Sequence, residues 1–264
     1  MPDLPPNCAG WEKKQAEEEG WRGLNFYLSH GMGVNSTALM LHLINKNVDF
    51  ESVFIDHGGD YPETYQYLQY LQDKGYKITV IKPDVVWKGH HSNIYDYFFF
   101  HKSIPLIQFR ICTQKFKIEP FNKFIKKPAT VYVGYDYAEG KRVLKQRKRT
   151  TDKIIYSHPL FDDKITRVGC VKIIQDHGLL SPKRSQCFFC PFQSKGEWKR
   201  LMVEKPELFK KALALEANAG KPGLYLADRW LRSIYQDNTL DNYVVDDEWE
   251  CGIGCLLRKR GGVV

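Results

Sequence analysis

The chain of 264 residues is 43% hydrophobic, 27% charged and 14% aromatic, which excludes global disorder and leaves room for one large domain or a domain with an appendage. Lys and Arg outnumber Asp and Glu 39 to 31, a formal charge of +8 that favours phosphate-bearing partners without naming one. Residues 1–20 hold no apolar run behind a basic start, and no stretch reaches the roughly 18 to 20 apolar residues that span a bilayer. The expectation is a cytoplasmic protein, neither secreted nor inserted in a membrane.

Residues 1–23 are proline-containing and then strongly charged, and read as an extension with a short helix around 12–19. The regular pattern begins at Leu24. An apolar run to Ser29 is followed by the glycine-rich HGMGVNS, and the spacing of TALMLHLINK predicts a helix. The plan then repeats. A strand ends near Asp56, a turn holds Gly58 and Gly59, and Pro62, Glu63 and Thr64 open a helix that runs to residue 75. KITVIKP, ATVYVGYDY and KIIYSHPL supply a third, fourth and fifth strand. Between the last two, Lys141, Arg142, Lys145, Arg147, Lys148 and Arg149 form the densest basic run, which reads as a solvated loop unless it borders a site. Residues 197–220 are mostly helical, and the last fifty are irregular, aromatic and charged.

Strands alternating with helices call for an α/β fold: a parallel twisted sheet flanked by helices, Rossmann-like, with a helical and irregular C-terminal appendage. The expected division is an extension over 1–23, a nucleotide-binding domain over 24–190 and an appendage over 191–264 that completes the site. In such sheets the ligand lies beyond the carboxyl ends of the strands. That rule puts Ser29 to Ser36, Asp56 to Gly59, the residues after Pro83 and Gly134 onward on one rim.

Gly31 and Gly33 allow close backbone approach to an anion, and Ser36 and Thr37 add hydroxyl donors where a helix begins. The turn is neither a Walker loop nor a GxGxxG dinucleotide turn. Seven cysteines, Cys8, Cys112, Cys170, Cys187, Cys190, Cys251 and Cys255, are an odd number without a secretory signal, which favours metal or thiol chemistry over a disulfide scaffold. Cys187 and Cys190 form a CxxC, open to three readings: half of a metal site, a redox dithiol, or a coincidence. Cys170, within VGCVKII, reads as an apolar core residue, and Cys8 as a bystander.

The run Gly31-Met32-Gly33-Val34-Asn35-Ser36 resembles the phosphate loop of the PP-loop ATP pyrophosphatases, the adenine nucleotide α-hydrolases, whose loop reads Ser-Gly-Gly-x-Asp-Ser. Gly33 and Ser36 match it, Ser29 ends the preceding strand, and Gly31, Met32 and Asn35 depart from it. IDHGGDYPET resembles the Asp-x-Gly…Pro-Glu-Thr turn of the phosphoadenylyl-sulfate (PAPS) reductase branch at Asp56, Gly58, Pro62, Glu63 and Thr64. FRICTQKFKIEPF is similar to that branch's Arg-x-Cys-Thr…Lys…Pro segment at Arg110, Cys112, Thr113, Lys117 and Pro120. Gly134, Glu139 and Arg142 stand where the family has a Gly-x-Arg…Glu-Ser…Arg element.

The resemblance implies a bound adenine nucleotide, with Ser29, Gly31, Gly33, Asn35, Ser36, Thr37, Asp56, Gly58, Arg110, Lys117 and Gly134 around it and Asp56 on metal or nucleotide. It also implies Cys112, Cys187 and Cys190 as ligands of a four-iron four-sulfur (4Fe-4S) cluster, with Zn2+ the alternative. Glu250-Cys251-Gly252-Ile253 resembles the C-terminal motif whose cysteine attacks the sulfonucleotide sulfur in PAPS and adenylyl-sulfate reductases, so Cys251 joins Asp56 as a candidate catalytic residue.

The favoured expectation is a PP-loop enzyme that uses ATP and Mg2+ to adenylate an acceptor, releases pyrophosphate, and transfers sulfur to a nucleic acid, DNA or tRNA, with a sulfur-donor or thiol-reductant protein as partner. One alternative is a sulfonucleotide reductase with Cys251 as nucleophile. Another is a non-catalytic nucleic-acid-binding or assembly subunit with a degenerate loop.

Overall fold

The computed structural model describes residues 25–87, 90, 91, 93–224 and 231–236. Cys8, Cys251 and Cys255, and with them the expected C-terminal nucleophile, lie outside the described residues. The described strands in chain order are β1 (Asn25–Ser29), β2 (Glu51–Ile55), β3 (Thr79–Ile81), β4 (Val86–Trp87), β5 (His90–His91), β6 (Ala129–Val133) and β7 (Ile154–Ser157). The residues fall into two compact units. Of the described residues, one holds those up to Ile55 together with Pro62–Ile81 and Phe121–Ser185; the other holds those within Asp56–Tyr61, Lys82–Pro120 and from Gln186 onward.

The first unit is a five-stranded sheet in the order β3-β2-β1-β6-β7, with every neighbouring pair parallel. The α/β expectation is therefore borne out. Alternation along each strand splits the core into two layers. Leu28, Phe54 and Tyr132 face one layer, with Ala38, Leu41, Cys170 and Ile174 from the helices Val34–Asn45 and Arg167–Asp176. Tyr27, Val53 and Val131 face the other, with Phe121 and Ile125. Both faces are covered, as an all-parallel sheet requires.

Chain order explains where this unit opens. From β1 the chain moves outward through β2 to β3, then returns on the other side of β1 as β6 and β7. The strand order thus reverses between β1 and β6, and the turns leaving those two strands are the ones that diverge. Those turns begin at His30 and Gly134.

The second unit has an aromatic core in which Phe98, Phe116, Phe188, Phe189, Trp198 and Phe209 meet. The Phe188 and Phe189 rings cross edge to face at 4.8 Å between centroids, the arrangement that the ring quadrupoles favour. Its C-terminal helices carry local start and stop signals. Ser194 caps Lys195–Glu204 with a reciprocal bond to Glu197, Pro206 opens Pro206–Ala219, and Gly220 ends it at φ 65. The buried carboxylate of Glu216 accepts N–H bonds from Gly223, Leu224 and Leu231, tying the following turns to that helix. Among the described residues no helix is long and apolar enough to cross a membrane.

One reading of the sequence is corrected and another is refined. The basic run is helical, Gly140–Arg147, because Val143 is fully buried and anchors one side of it while the lysines stay in solvent. Cys170 is a core residue as expected, but it sits on the helix Arg167–Asp176, whose single buried pair, Cys170 and Ile174, is too sparse a pattern to stand out from sequence.

Candidate functional site

In the first unit, β1 ends at Ser29 and the helix Val34–Asn45 begins after Gly33, so His30 to Gly33 form the whole connection. Met32 holds φ 56, a left-handed conformation that folds its side chain into the core, fully buried. Gly31 is thereby left exposed at the tip, with nothing within 4 Å of where a Cβ would stand. Ser36 closes the helix start by bonding both Gly33 N–H and Gly33 O. The first intrahelical bond is Thr37 N–H to Gly33 O, so the N–H groups of Val34, Asn35 and Ser36 head the helix. With no acidic side chain in that first turn, this end of the helix carries the positive end of its dipole.

Asn35 is held by the turn after β6 and by a third segment. Its side-chain N–H groups donate to Asp136 Oδ2 at 3.0 Å and Glu139 Oε2 at 3.1 Å, and its Oδ1 accepts from Arg167 Nη1 at 2.8 Å. Both amide donors and one of the two acceptor positions of the amide oxygen are used. A carboxylate at this position would face those of Asp136 and Glu139, which explains why Asn stands here where the resembling loop has Asp. Arg142 pairs with Glu139 and lies 4.3 Å from the Tyr135 ring centroid. Burial raises the Glu139 carboxyl above its ordinary range, and Arg142 opposes the rise. Gly134 makes the close approach possible, since a Cβ there would lie 2.9 Å from the backbone of Asn35 and Ser36.

His30 sits beneath the loop, bonded by Nδ1 to Ser52 Oγ at 3.0 Å and by Nε2 to Thr37 Oγ1 at 3.2 Å. Thr37 is thus turned into the core, away from the exposed tip. Burial lowers the His30 pKa to about 3, and that of His158, stacked on Tyr135, to about 4. A base whose folded pKa is lowered stabilises the fold above the unfolded value near 6.5 and loses that contribution as pH falls below it. Urea unfolding of this chain is expected to show about 2 kcal/mol lost per buried histidine between pH 7.5 and pH 5. His30→Gln should flatten the curve, and an unchanged slope in that variant would remove His30 as the cause.

The second unit assembles the sulfur residues. Gly58, at φ 73, and Gly59, whose Cβ would meet Ile94 Cγ2 at 2.6 Å, let the segment from Asp56 fold tightly. Asp56 Oδ1 accepts the Gly58 N–H at 3.0 Å. Asp60 forms an antiparallel bridge with Cys187, flanked by Phe188 N–H to Gly59 O at 3.0 Å and Tyr61 N–H to Gln186 O at 3.2 Å. This bridge brings His57, Asp60 and Cys187 together, with their ligand-capable atoms within 4.8 Å of one another. His57 Nε2 stands 3.4 Å from Asp60 Oδ2 and 3.9 Å from Cys187 Sγ.

Lys117 lies on the π-helical turn Gln114–Ile118. Desolvation lowers its pKa, but the charges of Asp60, Cys187, Cys190 and Cys112 together raise it above its ordinary value. Burial pushes the Cys187 thiol well up, and Asp60 adds to this while Lys117 opposes it. All three expected cysteine ligands therefore share one electrostatic neighbourhood with Lys117, although 74 residues of sequence separate Cys112 from Cys187. Lys117 partners the thiols and Asp60 here. Arg110, at φ 47, is exposed at the head of the short helix Ile111–Thr113.

Cys187 lies with His57 and Asp60 in a group that suits a metal ion, while Cys112 and Cys190 act on the same lysine, Lys117, electrostatically. The Gly59 N–H points at His57 Nδ1, at 3.2 Å, so the neutral ring carries its proton on Nε2, facing Asp60 and Cys187. Direct ligation through Nε2 would need that proton elsewhere. His57 is thus arranged to donate to a thiolate or to Asp60.

Ser29, Gly31, Gly33, Asn35, Ser36 and Gly134 gather around the two turns of the first unit, while Asp56, Gly58, Arg110, Lys117, Cys112, Cys187 and Cys190 belong to the second. Sequence reasoning missed Asp136 and Arg167 around Asn35, and His57 and Asp60 around Cys187. His57 and Asp60 had a signal in retrospect, a histidine and an aspartate three apart across a Gly-Gly pair. Arg167 had none, lying 132 residues from its partner.

A model of the phosphoadenosine phosphosulfate reductase domain family matches residues 25–155. Two curated relatives from Methanocaldococcus jannaschii are similar to the chain. The uncharacterized protein MJ0973 is 27% identical over 191 residues, covering 68% of this chain and 44% of the relative. The uncharacterized protein MJ0066 is 28% identical over 189 residues, covering 66% of this chain and 37% of the relative. The chain thus spans less than half the length of either. Among solved structures, PAPS reductase from Candida auris in a phosphate complex superposes with a TM-score of 0.43 at 16% identity, covering 66% of this chain and 83% of that one. Over residues 25–155, just under half of its length, the chain matches the phosphoadenosine phosphosulfate reductase domain family, a likeness consistent with the PP-loop adenine nucleotide α-hydrolase superfamily.

Proposed function

We propose that this chain binds ATP at the loop Gly31–Ser36, adenylates an acceptor with release of pyrophosphate, and transfers sulfur to that acceptor, a nucleic acid. The observation that carries the proposal is the pairing of two chemistries in one chain. An exposed Gly31 heads a dipole-bearing helix at the reversal of strand order. A separate unit holds Cys112, Cys187 and Cys190, each within electrostatic reach of Lys117, with Cys187 beside His57 and Asp60.

The chain's own groups have definite tasks in this reading. The N–H groups of Val34 to Ser36 bind the β- and γ-phosphates. Asp136, Glu139 and Arg167 hold Asn35, and with it the first helical turn, in one position. An acceptor oxygen attacks the α-phosphorus, the bond to the bridging oxygen breaks, and pyrophosphate leaves. A sulfur nucleophile of sulfide oxidation state then displaces AMP, the C–O bond breaking as the C–S bond forms, with no net change in electrons. Mg2+ would neutralise phosphate charge when bound, and Cys112, Cys187 and Cys190 would hold a cluster or zinc ion whose chemistry there would be sulfur binding. His57 donates its Nε2–H toward Cys187 and Asp60, and Lys117 balances the thiolate charge.

The second reading, sulfonucleotide reduction by Cys251, is favoured by the family match over residues 25–155. One assay separates the two. Supplied with ATP and bulk tRNA or DNA, the anaerobically purified chain is expected to release pyrophosphate; supplied with PAPS or adenylyl sulfate and a thiol, it should release no sulfite. Sulfite without ATP-dependent pyrophosphate would overturn the proposal in favour of reduction.

A further inference from the structure

The basic run borders a site after all. The 3-10 turn Tyr137–Glu139 continues into the helix Gly140–Arg147, and it is this turn, through Asp136 and Glu139, that grips Asn35 at the head of the loop helix. Both elements belong to the first unit. Residues 140–151 hold six Lys and Arg and no Asp or Glu. Arg142 is committed to Glu139 and Arg147 to Asp162. Lys141, Lys145, Lys148 and Arg149 are exposed and make no ion pair among the described residues.

Their spacing puts the lysines on one side. Tyr137, Lys141, Lys145 and Lys148 recur at intervals of four, four and three, the period of a helix face. That face is wet along its length: Tyr137 is 47% exposed and Leu144, beside the lysines, 60%, while Val143 on the inner side is fully buried. Three unpaired cations in line, with an exposed aromatic ring at one end and an exposed leucine along the row, form a surface on which a phosphodiester backbone can run while one unstacked base lies on the ring.

We propose that the face Tyr137–Lys148 is the docking surface for a single-stranded nucleic acid, leading the strand toward the loop Gly31–Ser36. The proposal rests on the nucleic-acid acceptor read above. The occupant is single-stranded because base stacking on Tyr137 needs a base free of its duplex partner, whereas a duplex would use the lysines alone.

The test is fluorescence anisotropy of the full chain with a labelled single-stranded oligonucleotide of about 16 nucleotides, titrated across a salt series. Lys141→Gln, Lys145→Gln and Lys148→Gln combined should weaken binding about a hundredfold at low salt and flatten the log–log salt slope by about 2. Tyr137→Ser should weaken single-strand binding about tenfold and leave duplex binding unchanged. ATP binding, followed by calorimetry on the same preparations, should not move in the triple variant, which also reports that it folds. Undiminished oligonucleotide binding by the triple variant, or none by the unaltered chain, would overturn the docking surface. Equal loss for duplex and single strand in Tyr137→Ser would overturn the single-stranded occupant. Retained ATP-dependent pyrophosphate release in those cases would leave the nucleotide reading standing, and its absence would take down that reading separately.

Discussion

Gly134→Ala is expected to destabilise the first unit by about 1–3 kcal/mol and to abolish most adenine nucleotide binding. The added methyl would lie 2.9 Å from the carbonyl carbon and oxygen of Asn35 and from Ser36 Cα. Those are backbone atoms at the head of the helix Val34–Asn45, so no side chain can rotate away to relieve the contact. Either β6 or the loop must retreat, and retreat of the loop lengthens the Asn35 bonds to Asp136 and Glu139 that now stand at 3.0 and 3.1 Å. Gly31→Ala is the matched control, because nothing lies within 4 Å of its Cβ. It should change stability by no more than about 0.5 kcal/mol. Thermal unfolding and nucleotide calorimetry on both variants check the pair. Equal behaviour of the two would show that the turns after β1 and β6 do not constrain each other.

The other large effect is expected at Cys187. Anaerobically purified chain should carry bound metal, with iron and sulfide in matching amounts if a cluster is held and zinc without sulfide if a single ion is held. Cys187→Ser should remove nearly all of it. Cys187 is the sulfur that the Asp60 bridge aligns with His57, and its thiol, pushed well above the usual range by burial, gives up its proton to a metal and to little else. His57→Ala should lower metal affinity about 10–100-fold without abolishing it, as expected for a group that donates to a thiolate ligand. Elemental analysis and visible absorption read both outcomes. Full metal loading in Cys187→Ser would remove the thiol cluster from the mechanism, while complete loss in His57→Ala would make His57 a ligand in its own right.

Much of the first unit was legible because its signals are local. The apolar runs at 25–29, 51–55, 129–133 and 154–157 are short, β-rich and bounded by turns, and each became a strand of the parallel sheet. The third became only Thr79–Ile81, at the sheet edge, where pairing on one side sustains a shorter strand. The basic run misled because its single apolar anchor, Val143, gives too little periodicity to set a helix apart from a charged loop. The helix Ile94–Phe100 also escaped notice, since a segment that is aromatic and aliphatic except for Asp96 carries too little polar face to mark its period.

The chemistry divides along the same line. Sequence by itself determined which residue types were available and which short stretches they occupied: a glycine-rich strand-to-helix turn, a CxxC, an Arg-x-Cys-Thr…Lys segment and the likeness to a sulfonucleotide-handling family. Those are properties of neighbours along the chain, where a few bonds set the geometry. Only the tertiary structure decided who stands against whom. Arg167 holds Asn35 across 132 positions, Asp60 meets Cys187 across 127, and Lys117 feels the charges of Asp60, Cys187 and Cys190, which lie far from it in the chain. The strand order that opens a site between β1 and β6 is likewise a product of packing both sheet faces, in which residues far apart in the chain bury one another's surface.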